Sequence, residues 1–80
     1  MRLRAEFTTE PFHGEGAPPP HATETMKVLE KAGLVCDFGP LGTSVSGTEA
    51  ALLPALQEVL AAAFAHGASR VTLQVERDDD

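Results

Sequence analysis

The side chains able to do chemistry are few. His13, His21 and His66 supply the neutral-nitrogen ligands, and Cys36 is the single thiol. His13 and His21 flank one loop, where Glu10 or Glu15 could join them around a metal. A metal site needs three or four converging ligands and a supporting second shell. Two solvated loop histidines describe that spacing more simply, and His66 is accounted for by a helix C-terminus, where a cation is favoured. Cys36 alternates with apolar neighbours, so it reads as a small buried hydrophobe rather than a nucleophile. No Gly-x-Ser-x-Gly, Gly-Lys-Ser/Thr or Gly-x-Gly-x-x-Gly pattern occurs, so the sequence carries no serine-hydrolase elbow and no glycine-rich phosphate cradle. What remains is a set of hydrogen-bonding groups: Glu6, Thr8, Asp37, Ser44, Ser46 and Thr72.

Those groups lie on alternating segments. Residues 2–9 place Leu3, Ala5, Phe7 and Thr9 on one side and Arg2, Arg4, Glu6 and Thr8 on the other, a strand with one dry face. Pro11 ends it. Residues 10–20 form a loop stiffened by Pro18-Pro19-Pro20. A helix is expected from about 20–23 to 32, with Ala22, Met26, Leu29 and Gly33 along one stripe, broadened by Thr25 and Val28. Residues 34–39 read as a strand with Leu34, Cys36 and Phe38 inward. A turn at Gly39-Pro40-Leu41-Gly42, of type I, leads to a strand over 42–47.

A second helix is expected from about 49–52 to 66, with Leu52, Leu56, Val59, Leu60 and Ala63 inward and Thr48 as N-cap. Pro54 conflicts with an early start, so the helix either begins late or bends there. Residues 69–76 form the last strand, with Val71, Leu73 and Val75 inward. Asp78-Asp79-Asp80 reads as a frayed tail.

The order β-α-β-β-α-β is the ferredoxin-like split βαβ arrangement, an α+β sandwich. Right-handed crossovers put both helices on one face of a four-stranded antiparallel sheet with expected order 4-1-3-2. The other face carries Arg2, Arg4, Glu6, Thr8, Val35, Asp37, Ser44, Ser46, Arg70, Thr72, Gln74 and Glu76 and is free to be wet or to meet another subunit.

Composition narrows the function. Eighty residues make one domain, 1–80, with a marginal core that a partner subunit would help. Twelve acidic against six basic residues give a net charge of -6, which argues against nucleic acid. The longest apolar run, residues 59–65, is far short of the ~20 residues that span a bilayer. No apolar signal core opens the chain, so the expected location is cytoplasmic. The open sheet face has no aromatic residue to stack RNA bases. The first loop lacks the Arg an acylphosphatase cradle needs and the Cys-x-x-Cys of a metal chaperone.

Several segments together resemble the small thiamine-binding protein family of ferredoxin-like fold. They are Ala5-Glu6-Phe7-Thr8-Thr9-Glu10-Pro11, Val28-Leu29-Glu30-Lys31-Ala32-Gly33-Leu34, the turn Gly39-Pro40-Leu41-Gly42-Thr43, Gly47, and the last strand from Ser69 to Asp78. The chain departs from the family at Ser46, where Glu is usual, and in its triple proline.

The resemblance implies non-catalytic binding of thiamine or its hydroxymethylpyrimidine portion, with no cofactor, by a homodimer or homotetramer. Glu6, Thr8, Glu10, Asp37, Thr43 and Ser44 are suitable polar contacts for an aminopyrimidine and a cationic thiazolium. Phe12 or Pro40 is suited to pack on a ring. The rival reading is a regulatory or oligomerisation module, like the ACT-type domains of related topology, that binds an amino acid.

Overall fold

The computed structural model describes residues 1–12, 16–39 and 42–78. Its elements are β1 (Arg2–Glu10), α1 (Pro20–Lys31), β2 (Cys36–Gly39), β3 (Gly42–Thr48), α2 (Glu49–Ala65) and β4 (Arg70–Arg77). The sheet runs β2-β3-β1-β4, all antiparallel, which is the expected order read from the other edge. The architecture is the ferredoxin-like α+β fold.

The period-two pattern of β1 produces this sheet directly. Leu3, Ala5 and Phe7 are buried beneath the helices, and Arg2, Arg4 and Glu6 are exposed on the far side. They pack with Val45 of β3, Leu29 of α1, and Leu52, Ala55, Leu56 and Val59 of α2. Covering the strands in this way removes their apolar face from water, the main favourable term in folding.

The helix ends follow local chemistry. Pro20 stands at the first position of α1, where a missing N–H costs nothing, and the Pro19 carbonyl accepts from the N–H groups of Ala22 and Thr23 at 2.9 and 3.2 Å. Thr48 caps α2, its hydroxyl accepting from Ala51 N–H at 3.3 Å. Both helices close with the same glycine-terminated turn: Leu34 N–H donates to Leu29 O at 3.0 Å, and Ala68 N–H to Ala63 O at 2.9 Å.

Three expectations are corrected and an open alternative is settled. The second strand is Cys36–Gly39 rather than 34–39; Leu34 still packs on the core, but from the turn before the strand. Phe38 and Val75, expected inward, are each 41% exposed. They sit on the edge strands β2 and β4, at the margins of the helical layer, while Cys36 and Leu73 of the same strands pack against the core. Of the two alternatives at Pro54, the late start is excluded: α2 starts at Glu49 and keeps Pro54 inside. The carbonyl of Ala50 forfeits its usual donor there, and Ala50 is exposed, so water can serve it. Asp78 is tied down, its N–H donating to Arg2 O at 2.9 Å. His13, Pro40, Leu41, Asp79 and Asp80, with the turn type and tail ascribed to them, lie outside the described residues.

Candidate functional site

One end of the sheet is open. There β1 runs on to Glu10, α1 begins, and the β2–β3 hairpin turns at the Gly39↔Gly42 pair. Between them lies a cleft of about 340 Å³ on the helix side. Its floor is buried: Phe7 from β1, Thr25 from α1 and Thr43 from β3. Its rim carries two half-exposed rings, Phe12 and Phe38, and the half-buried Glu10. Aromatic side chains, hydroxyls and a glutamate line it, the mixture of apolar surface and a few polar groups that small-molecule clefts have.

His21 holds the rim. It is buried, not a solvated loop residue: it lies in the first turn of α1 and is 3% exposed. Its Nε2 donates to the carbonyl of Pro11 at 3.0 Å, since a carbonyl only accepts. That fixes the tautomer of the neutral ring, so Nδ1 accepts from the Thr9 hydroxyl at 2.7 Å. Both ring nitrogens are therefore engaged. On its other side the end of β1 is pinned to β4, where Ser69 N–H and its hydroxyl both donate to Glu10 O, at 2.7 and 3.2 Å. The backbone that presents Glu10 and Phe12 is thus anchored twice.

A second cleft of about 350 Å³ opens on the helix-free face. Strand register composes it. Asp37 pairs with Ser44, Ser44 with Glu6, and Glu6 with Gln74, so one polar row crosses all four strands. Thr8 and Thr72 form the next pair outward. Along the same face Arg4 is ion-paired to Glu76, which raises the guanidinium above its ordinary value.

The sequence-based set divides between the clefts. Glu10 and Phe12 line the helix-side cleft, Glu6 and Ser44 the open-face cleft, and Thr8 and Thr43 both. Asp37 is exposed in the polar row but lines neither, and Pro40 lies outside the described residues. Sequence reasoning missed Phe38, assigned to the core, and Gln74, whose place beside Glu6 depends on register. It missed His21 as an organiser, although its position straight after three prolines marks a helix start.

Cys36 packs against the core but is less buried than expected. It is half-buried with its thiol 3.6 Å from the Met26 sulfur, and burial, then Glu30 and Asp37, push the thiol upward. His66 does more than face a helix end: its Nε2 lies 3.6 Å from Glu24 of α1. Glu24 is also bridged to Lys27 at 2.9 Å, and the hydrogen bond and charge of Lys27, with His66 nearby, hold its carboxyl below the usual range. Among the described residues no group of three or more His, Cys, Asp or Glu is placed to hold a metal. Among them, too, no helix is long and apolar enough to cross a membrane.

Fold and clefts define a small ferredoxin-like protein with a solvent-open ligand-sized site at the end of its sheet. The chain belongs to the thiamine-binding protein family, whose sequence model matches residues 5–80. Curated protein sequences give no match. Among solved structures, a hypothetical protein of Methanocaldococcus jannascii is 24% identical with a TM-score of 0.68, over 99% of this chain and 84% of that one. A Streptococcus pneumoniae protein is 19% identical with a TM-score of 0.71, over 95% and 83%. A Thermotoga maritima protein, proposed to act in thiamine biosynthesis or salvage, is 17% identical with a TM-score of 0.67, over 95% and 81%. At these identities the likeness is one of fold.

Proposed function

We propose that the chain is a non-catalytic, cytoplasmic binder of thiamine (vitamin B1) or its hydroxymethylpyrimidine portion, working as a homodimer or homotetramer built on one domain, 1–80. Family membership supports the ligand class. The observation that carries the reading is the helix-side cleft, whose lining includes Phe12, Phe38 and Glu10. An aminopyrimidine stacks on such rings, its exocyclic amine donates to Glu10, and the hydroxyls of Thr8 and Thr43 meet its ring nitrogens. Glu6, Ser44 and Asp37 are the proposed polar contacts from the open face, and Pro40 is a proposed ring-packing residue carried over from the family resemblance alone.

The acidity of the chain favours the cation over its phosphate esters. Titration calorimetry and thermal shift test the proposal with thiamine, hydroxymethylpyrimidine, thiamine diphosphate and a panel of amino acids. Thiamine or the pyrimidine is expected to release heat and raise Tm by mass action, with the diphosphate weaker. Stabilisation by amino acids alone, with no response to either thiamine compound at millimolar concentration, would sink the proposal in favour of the regulatory-module reading.

A further inference from the structure

β4 is the longer edge of the sheet. It runs from Arg70 to Arg77 and, among the described residues, pairs with β1 alone, whereas the opposite edge, β2, has four residues and ends at Gly39. Native edges are commonly blunted by proline, a bulge or an inward-pointing charge. Between Arg70 and Glu76 there is no proline or glycine, and the helix-side positions are Val71, Leu73 and Val75. The outer backbone groups of β4 are suited to a further strand.

The helix above this edge is apolar on its outer flank. α1 packs on β2 and α2 on β4. His66, at the end of α2, reaches toward Glu24 and so marks the flank turned to α1. Leu53, Leu60 and Phe64 lie about 140° around the helix from it, on the side toward β4. Leu60 is half-buried, and Leu53, Phe64 and Val75 are exposed. An uncharged flank therefore runs beside a bare strand edge, on a chain whose net charge is -6.

The sequence of β4 is complementary to itself. Residues directly opposite in an antiparallel pair point to the same face, so a two-fold axis between identical strands falls on a residue. With the axis at Leu73, Arg70 meets Glu76 of the second copy, Val71 meets Val75 and Thr72 meets Gln74. An axis at Thr72 sets Arg70 against Gln74, and one at Gln74 sets Val71 against Arg77. Within one chain Arg4 is already paired across to Glu76, and Glu10 stands opposite Arg70. Joining at Leu73 extends these into a four-strand row of alternating sign: Arg4, Glu76, then Arg70 and Glu10 of the second copy.

We infer that β4 is a self-pairing edge: two copies join their sheets through β4 about a two-fold axis at Leu73, and their α2 flanks close over the seam through Leu53, Leu60 and Phe64. This rests on the homo-oligomeric part of the proposed function and supplies its interface. Among the described residues none of β4 lines the helix-side cleft, so ligand and interface can be read separately.

Sedimentation equilibrium on the wild type, Arg70→Glu and Glu76→Arg tests it, with folding checked by Tm. The wild type is expected to be a dimer or an assembly of dimers. Each reversal sets like charges opposite one another twice across the seam, and is expected to raise the dissociation constant about ten- to a hundredfold. Mixed in equal amounts, the two variants are expected to associate again, because in the mixed pair each seam charge meets its opposite. A monomeric wild type, or self-association that both reversals leave unchanged, would overturn the interface. So would dissociation that mixing does not reverse, since the charges would then act within one chain. Thiamine titration is the separate arm: binding by the wild type with the interface overturned leaves the ligand reading standing, and no binding with the charge rescue intact overturns that reading alone.

Discussion

The two ends of the sheet are built differently. At one end, Leu34 folds over Gly47 so closely that a Cβ there would lie 2.8 Å from its Cδ2, and backbone bonds from Glu49 to Met1 and from Asp78 to Arg2 knit the strand termini. That end is closed. At the other, the glycine of β3 is Gly42, and clefts lie on both sides of it. One end of the sheet contributes stability, and the other is available for a ligand.

Breaking the shared support should have the largest effect. Leu29 is fully buried between α1 and the sheet, and Leu29→Ala should cost about 2–5 kcal/mol in chemical unfolding. If the loss were well below 1 kcal/mol, the described packing of α1 would be wrong. The glycines sharpen the contrast directly. Gly42→Ala meets backbone and an unfavourable φ, and should cost about 1–3 kcal/mol. Gly47→Ala meets only the tip of a flexible leucine, and should cost less. Equal Tm values for the two variants would erase the distinction between the ends.

His21→Ala leaves the Thr9 hydroxyl and the Pro11 carbonyl without their partner, at about 1–2 kcal/mol. It should also loosen ligand binding beyond what the stability loss explains, because the strand end bearing Glu10 and Phe12 is freed. Retention of full affinity would show that the imidazole is structural only.

The smallest effect is electrostatic. The Glu24 carboxyl is held below its ordinary 4.5 by Lys27 and His66. A lowered folded-state value means that the contribution is present above pH 4.5 and is lost as pH falls through the folded value. Glu24 is exposed to solvent screening, so the acid-side fall should be slight and absent in Glu24→Gln, as followed by Tm against pH.

Most of the fold was legible. Period two in 2–9 and 69–76, helical stripes through Leu29 and Leu52, and glycines after both helices fixed the element order, and handedness fixed the topology. What sequence could not supply was extent. Phe38 and Val75 alternate correctly, yet their exposure depends on how far two helices reach across an edge. The site was half legible. Glu10 and Phe12 follow from their place at and just beyond the end of a strand, but the Glu6–Gln74 pair depends on a register 68 positions apart, and a one-residue slip would send Glu6 to the other face. His21 was misread because it was placed in a loop, when the prolines before it start a helix.

Those prolines have a further effect. Pro18, Pro19 and Pro20 lead into α1, and each has a φ restricted before the chain folds. The denatured ensemble therefore has less freedom to surrender in this stretch than a glycine–serine connector of equal length would have. Replacing the triplet with flexible residues would leave every native contact of the core in place and still shift the balance toward the unfolded chain.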